Sequence, residues 1–257
     1  MSNKYTENRK KHLEEYADKN DLPVGGSFRN KTYGHILDIS KSEIEEYNLL
    51  SDMKFDLLPE EKIHMYAHHL NSSQVLCYNY FRPILNDDRT PKQELIDILK
   101  DKHIAISKNA ICTFEYKSPN YEEQGAVFDF HIKDEDVEIF FEIKYTEDGF
   151  SSVKNDKSHE NKFEKTYKNM IEKCQCLESV DKNDFFKNYQ LYRNVLRITD
   201  SKKYTVFITA RENTRTRNQL ESFLNKINQD YKNNILVLYW EDLLKESIEL
   251  YEKYIAE

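Results

Sequence analysis

Three short segments near the middle of the chain alternate between apolar and polar side chains. They cover residues 111–117, 126–133 and 137–145, and each is rich in β-branched or aromatic residues. A period of two over this length is typical of a half-buried β-strand. We therefore predict three sequential strands, which restricts the chain to folds built around a sheet.

Helical patterns precede these strands, and later in the chain they alternate with two further strands. The predicted helices cover residues 1–20, 42–50, 59–85 with an interruption near Asn71, 91–100, 160–178, 184–198 and 216–231, and a closing helix starts at Glu241. The further strands cover residues 204–210 and 235–239. Thr90 and Pro91 supply an N-cap and a first-position proline for the helix before the sheet. This order predicts an α/β fold, a mixed β-sheet flanked by helices with a helical N-terminal region.

The second and third strands are predicted to form a hairpin around an acidic turn at residues 134–136. A register that pairs Lys133 with Glu138 places Asp129 opposite Glu142 on one face of the sheet. The other face is expected to be wholly apolar, with Ala126, Phe128, Phe130, Ile132, Ile139, Phe141, Ile143 and Tyr145. We therefore predict that this apolar face forms part of the core.

The charged face of the hairpin also carries Lys144. A central strand covered by helices is usually apolar on both faces, so charges here need an explanation. Opposed carboxylates repel unless a cation lies between them, and Mg²⁺ takes one or two carboxylates together with water and phosphate oxygens. We predict that Asp129 and Glu142 bind Mg²⁺, with Mn²⁺ as a substitute, while Lys144 orients or deprotonates the attacking water and offsets charge on the phosphate. The alternative is a solvated acidic hairpin without catalytic function.

The spacing of these residues resembles a known family. Asp129, followed thirteen positions later by Glu142-Ile143-Lys144 in this order of elements, is similar to the PD-(D/E)XK nuclease superfamily. The bacterial restriction-endonuclease-like branch is suggested by residues 70–74, 141–147 and 189–194, and the resemblance extends over residues 30–210. One departure is Phe128, which stands where the family nominally has proline. The resemblance implies a restriction-endonuclease-like core.

The resemblance also implies roles for individual residues. Asp129 and Glu142 would bind the metal, Lys144 would act in catalysis, and one further acid would lie upstream. Glu115 is the first candidate for that acid and metal ligand, because it is expected on the matching face of the neighbouring strand, whereas Cys112, Phe114 and Tyr116 are expected on the other. Glu94, on the helix before the sheet, is the alternative.

The helix predicted at residues 184–198 has an apolar stripe and a polar face. Gln190, Arg193 and Arg197 lie on the polar face. In related nucleases a helix glutamine after the Glu-x-Lys strand positions the site or the substrate, so Gln190 is assigned to catalysis. Arg193 and Arg197 are candidates for phosphate contacts. Further candidates for contacts to the DNA backbone are Arg211, Arg215 and Arg217.

The net charge of −8 argues at first against a nucleic-acid partner. Residues 112–148, however, contain eleven acidic residues and three lysines, whereas residues 182–217 contain nine basic residues and three acidic ones. One segment is thus basic enough to face phosphates, although such a run is also compatible with an ordinary solvated surface.

Several other features limit the organisation of the chain. No linker rich in Gly, Ser or Pro is present, so we expect one compact unit with a helical region at residues 1–90 packed on a nuclease core at residues 91–257. No apolar run is long enough for a membrane span, which predicts a cytoplasmic protein. His64 and His68 have helical i, i+4 spacing but no HExxH glutamate, which favours a surface role. Ser73 and Gln74 match the resemblance without a chemical role.

The sequence therefore predicts a metal-dependent endonuclease that hydrolyses DNA phosphodiester bonds in a restriction or other phage-defence system. Double-stranded DNA is the expected partner, and a homodimer is expected if both strands are cut. Two alternatives stay open: a nucleic-acid-binding module of the same fold that does not cut, and a nuclease acting on RNA or branched DNA.

Overall fold

The computed structural model describes residues 4–118 and 126–256. Its helices are α1 Lys4–Lys19, α2 Ile44–Asn48, α3 Ser73–Phe81, α4 Gln93–Lys100, α5 Lys157–Lys162, α6 Lys168–Lys173, α7 Lys182–Lys187, α8 Tyr189–Val195, α9 Thr214–Leu224, α10 Trp240–Leu243 and α11 Ile248–Tyr254. Its strands are β1 Ser27–Phe28, β2 Lys31–Thr32, β3 Ile111–Lys117, β4 Val127–Lys133, β5 Glu138–Ile143, β6 Lys203–Thr209 and β7 Ile235–Tyr239. Glu122 and Glu123, which the sequence places in a loop, lie outside the described residues.

A five-stranded mixed sheet forms the centre of the molecule, in the order β3-β4-β5-β6-β7. The first three strands run antiparallel, and β5, β6 and β7 run parallel to one another. Lys133 pairs with Glu138, as predicted from the hairpin pattern. The α/β class and the mixed sheet are therefore confirmed. The hairpin register is confirmed from Lys133–Glu138 to Phe130–Phe141, where the pairing of β4 with β5 ends before it reaches Asp129 and Glu142.

Helices cover both faces of this sheet. On one face, α1, α3, α4, α10 and α11 pack against apolar residues of β3, β4 and β5. On the other face, the segment from α5 to α9 packs against Phe207 of β6 and Ile235 of β7. The first cluster joins residues on both sides of position 90, and the proposed division there stays a prediction. In the part of the chain that the structure describes, no helix has the length and apolar character needed to cross a bilayer.

The helix predicted at residues 59–85 is wrong in its first half. Only residues 73–81 are α-helical, and the Ser72 side chain caps their start by accepting a hydrogen bond from the Val75 backbone N–H. Before that point, His69 forms an isolated β-bridge with Ile36, and the Leu70 N–H donates to the His35 carbonyl. The backbone groups of this segment pair with distant residues, so a local helical pattern did not decide its conformation.

Other helix boundaries also differ from the sequence prediction. Pro91 does not start α4, because it forms an isolated bridge with Leu85, and the helix begins two residues later. The helix predicted at 184–198 is divided at Asn188, whose ψ of 35° interrupts it. The helices predicted at 160–178 and 216–231 end earlier, at Lys173 and Leu224.

The predicted apolar face of the hairpin is wrong at its open end. Phe130, Ile132 and Phe141 belong to the core on the α3 side, but Ala126 and Phe128 pack with Phe140 in a separate cluster. Tyr116, expected beside Phe114, instead stacks on His131 with ring centroids 3.7 Å apart. In β3 the alternation changes at Glu115, which adopts a left-handed conformation with a φ of 48°. Such a conformation is strained for a residue with a Cβ, and strain of this kind concentrates at functional sites.

Candidate active site

Glu142 lies at the end of β5 with only 4% of its surface exposed. Its Oε1 accepts a hydrogen bond from Gln190 Nε2 at 2.6 Å, and its Oε2 accepts one from Asn194 Nδ2 at 2.9 Å. Both amides project from α8, where a spacing of four residues puts them on one face. Gln190 Oε1 in turn accepts from the Ser151 N–H at 3.1 Å. Helix α8 therefore fixes this buried carboxylate through two charge-assisted hydrogen bonds.

Lys144 follows two residues later and is also buried. Its Nζ lies 2.9 Å from Glu142 Oε1 and 5.6 Å from the centroid of the Phe150 ring. Burial alone would lower the pKa of this ammonium group, but the negative charges of Glu142, Glu147 and Asp129 outweigh burial and raise the pKa. Lys144 is therefore a cation at neutral pH in this arrangement.

Asp129 extends from β4 towards the same place. Its Oδ2 accepts a hydrogen bond from the Ile143 backbone N–H at 2.6 Å, which ties it to the residue between Glu142 and Lys144. Burial raises the pKa of Asp129 well above its usual value, and the carboxylates of Glu142 and Glu115 raise it further, against the opposing effects of Lys144 and the Ile143 N–H. The ionised carboxylate is therefore energetically unfavourable here unless more positive charge is added.

Glu115 is bound at its side chain by Gln74 and at its backbone by Lys62. Its Oε1 accepts from Gln74 Nε2 of α3 at 2.6 Å, while its backbone carbonyl accepts from Lys62 Nζ at 3.0 Å. Burial raises the pKa of this carboxyl, and the Glu142 charge raises it further, although the hydrogen bond from Gln74 and the Lys62 charge oppose the shift. The structure thus brings Glu115 into electrostatic range of the other carboxylates, with its own amide partner.

Two grooves meet at this cluster. The first, of about 540 Å³, is lined by Glu115, Asp129 and residues of the turn before α3. The second, of about 710 Å³, is lined by Lys144, Gln190, Arg215 and the loop around Phe150. Glu147 lines both, and its Oε2 accepts a hydrogen bond from the Tyr145 N–H at 2.6 Å. Glu115 and Asp129 are therefore reached from the first groove, Lys144 from the second and Glu147 from both, whereas Glu142 lines neither of these two grooves.

The five arginines predicted to contact DNA lie in different surroundings. Only Arg215 is among the residues that line the two grooves, and it pairs with Asp148. Arg193 lies over the Tyr189 ring, and burial lowers the pKa of Arg197 to about 10. The remaining two form ion pairs: Arg211 with Asp242, and Arg217 with Glu221. Their role in binding stays a prediction, as does that of Glu94 on α4.

Burial and the charge of Glu142 both raise the pKa of Asp129, and the binding of a cation by these two carboxylates stays a prediction. Over residues 4–118 and 126–256, no three side chains of His, Cys, Asp or Glu come together in an arrangement that would hold a metal ion. Two carboxylates nevertheless match the donor set of Mg²⁺, which keeps several waters and uses one or two protein carboxylates.

Comparison with known proteins gives the family. A family model described as Restriction Endonuclease associating with ARP matches residues 9–256. The chain belongs to this family. Neither the search of curated proteins nor the search of solved structures found a match. The restriction-endonuclease family membership agrees with the α/β fold, and it covers the N-terminal region as well as the sheet.

Sequence reasoning missed several residues that surround the carboxylates of this restriction-endonuclease family member. Asn194 lies in the segment 189–194, and its spacing of four from Gln190 on a helix is the signal that points to it. Gln74 was noted without a chemical role, because its partner Glu115 is forty-one positions away. Glu147 lies in the segment 141–147, but its position between two grooves depends on how the chain leaves β5.

Proposed function

We propose that this chain is a metal-dependent endonuclease of the PD-(D/E)XK type that hydrolyses DNA phosphodiester bonds in restriction or another form of phage defence. The observation that carries the proposal is the buried contact between Glu142 and Lys144 beside the carboxylate of Asp129, whose pKa is raised by burial. A protein gains little stability from burying such a set, since desolvating a charge pair offsets most of its attraction. Buried charged side chains with shifted pKa values are more readily explained by a catalytic role.

The donor set supports Mg²⁺, or Mn²⁺ in its place, held by Asp129 and Glu142. Such a cation supplies positive charge that offsets the negative charge developing on the phosphate during hydrolysis. Glu115 is the candidate third acid, although a hydrogen bond to Gln74 holds its carboxylate. The raised pKa of Asp129 fits a site that is complete only with additional positive charge.

Lys144 supplies the protein's own positive charge to this reaction. Because its pKa is raised by Glu142, Glu147 and Asp129, we assign it to orienting water and stabilising charge on the phosphate rather than to removing a proton. Gln190 and Asn194 hold the Glu142 carboxylate in one orientation, so that its oxygens do not have to reorganise during the reaction.

The direct test is hydrolysis of plasmid DNA by the full chain. We expect cleavage with Mg²⁺ or Mn²⁺, none in EDTA, and a loss of at least about a hundredfold in Asp129→Ala. Asp136→Ala is the matched control, because Asp136 lies in the turn of the same hairpin and pairs with Lys202 at the surface. Equal rates for Asp129→Ala and the wild type would refute the assignment.

The two amides of α8 give a second prediction. Gln190→Ala and Asn194→Ala should each lower hydrolysis about 10- to 100-fold, because a carboxylate without its orienting partners binds metal less well. The Mg²⁺ concentration that gives half-maximal rate should rise, a change that a purely structural defect would not produce. Asn183→Ala, which removes an exposed amide of α7, is the control. An unchanged Mg²⁺ dependence in both variants would contradict the positioning role.

The remaining parts of the proposal concern partners and location. Double-stranded DNA as the substrate fits a restriction role, and a homodimer would supply one site for each strand. A cytoplasmic location is where such a protein would meet invading DNA. Sedimentation of the chain with and without a DNA duplex separates a monomer from a dimer.

A further inference from the structure

The first groove has a wall of aromatic rings that the hydrolytic site does not use. His64, Tyr66 and His69 line it, with ring centroids 5.1 Å apart for His64 and Tyr66 and 5.2 Å apart for Tyr66 and His69. Phe28 contacts both Tyr66 and His69 edge-on and supports the set from behind. Tyr66 is 36% exposed although it is large and partly apolar. We define these four residues as the aromatic wall.

The rings of the aromatic wall are suited to contact with an uncharged π-system. Burial and the neighbouring positive groups lower the pKa of His69 to about 4, so its ring is neutral at physiological pH. The turn that carries His64 and Tyr66 is fixed by the His64 N–H, which donates to Gln74 Oε1 at 2.7 Å. Gln74 also holds Glu115, so one side chain connects the wall to the acidic cluster.

Two lysines share the groove with the aromatic wall. Lys10 of α1 and Lys62 both line it, together with Glu115 and Asp129. Lys62 donates one hydrogen bond to the Glu115 carbonyl, and an ammonium group has three donors. The groove therefore combines aromatic stacking surfaces and ammonium groups, the two features that bind single-stranded nucleic acid, with the carboxylates of the acidic cluster.

We propose that this groove binds an unpaired nucleotide of the substrate strand, with its base stacked on Tyr66 and its phosphate near Lys62 and Lys10. The neighbouring phosphate of the same strand then reaches Asp129. The inference rests on the proposed nuclease function and deepens it by naming the substrate class: DNA that has, or locally adopts, an unpaired base. A base inside an intact duplex is stacked on both faces and presents none to Tyr66.

The size of the groove agrees with a single nucleotide. Its volume of about 540 Å³ lies in the range typical of sites for small ligands, whereas a duplex would have to lie across its mouth. A free nucleotide monophosphate offers the same base and phosphate as a nucleotide in a strand. The two sources differ in that only the strand carries a second phosphate to Asp129.

The test measures stacking directly, in EDTA, so that hydrolysis does not interfere. The full chain is titrated with a short single strand containing one 2-aminopurine, whose fluorescence is quenched when its ring stacks. We expect quenching by the wild type and by Tyr66→Phe. Tyr66→Ala should abolish the quenching and weaken binding about 10-fold. Met65→Ala is the control, since Met65 is 72% exposed in the same turn.

Three further ligands decide the substrate class. A fully paired duplex should bind more weakly than the single strand, and a duplex with one unpaired 2-aminopurine should be quenched like the single strand. Free 2-aminopurine nucleotide monophosphate should bind more weakly than either. Equal binding of the free nucleotide would overturn the strand assignment, and so would equal binding by Tyr66→Ala and the wild type. If stacking is observed but Mg²⁺ gives no hydrolysis, the nuclease proposal fails while the groove assignment stands.

Discussion

Replacing Lys144 by alanine is expected to reduce DNA hydrolysis by about a thousandfold or more while the protein stays folded. Nζ lies 2.9 Å from Glu142 Oε1 in a region largely shielded from water, where a fixed positive charge acts more strongly than it would in solution. Removing a single preorganised group that stabilises transition-state charge costs roughly a hundredfold to a thousandfold. Lys144 also orders the carboxylate beside it, so its loss affects two groups that act together.

The measurement is single-turnover cleavage of plasmid DNA at saturating Mg²⁺, so that binding and chemistry are separated. Lys133→Ala is the matched control, because Lys133 lies on the neighbouring strand with its side chain 54% exposed and pairs with Glu138 at the far end of the hairpin. Circular dichroism and the thermal midpoint establish that the variant is folded. A folded Lys144→Ala protein that cleaves at the wild-type rate would remove Lys144 from the mechanism.

The part of this site that the sequence predicted depends on the local pattern of residues within the hairpin. Period-two alternation and the acidic turn were enough to define the hairpin register, since a shift of one residue would move every side chain to the wrong face. That register brings Asp129 close to Glu142, and the hydrogen bond from the Ile143 N–H to Asp129 agrees with it. Local pattern therefore accounts for the pair of carboxylates at the centre of the site.

What the sequence did not predict depends on contacts between distant segments. The left-handed conformation of Glu115 reverses the alternation of β3, and no glycine marks the position. The segment before α3 reads as a helix but pairs with residues 35–37 instead. As a result, Tyr66 and Gln74 enter the groove beside Asp129, a placement that only the assembled fold specifies.

The basic segment at residues 182–217 contains arginines that form ion pairs in the structure. Arg211, Arg215 and Arg217 are each paired with a nearby carboxylate at the surface. Exposed ion pairs contribute about 0–1 kcal/mol, so a phosphate can replace the carboxylate at small cost. A DNA role for these arginines is therefore compatible with their pairing, but it requires exchange of partners.

Replacing Asp129 by asparagine is expected to stabilise the metal-free protein while abolishing hydrolysis. Burial and the charges of Glu142 and Glu115 raise the pKa of Asp129, which means that its ionised form costs folding free energy at neutral pH. Asparagine removes that charge and keeps an oxygen that can accept the hydrogen bond from the Ile143 N–H. We expect a thermal midpoint in EDTA about 3 °C or more above that of the wild type.

The sign of the pH dependence separates this explanation from a simple packing effect. When the folded-state pKa of a carboxyl group is raised, the protein loses stability as the pH rises. The stability advantage of Asp129→Asn should therefore be largest at neutral pH and should shrink as the pH falls into the ordinary Asp range. Mg²⁺ should raise the thermal midpoint of the wild type, because binding at a hundred times the dissociation constant adds about 2.7 kcal/mol to the free energy of unfolding. It should leave the midpoint of the variant unchanged. Asp136→Asn, in the exposed turn, should show neither effect. A variant less stable than the wild type in EDTA, or equally stabilised by Mg²⁺, would mean that the carboxylate at position 129 serves the fold rather than a cation.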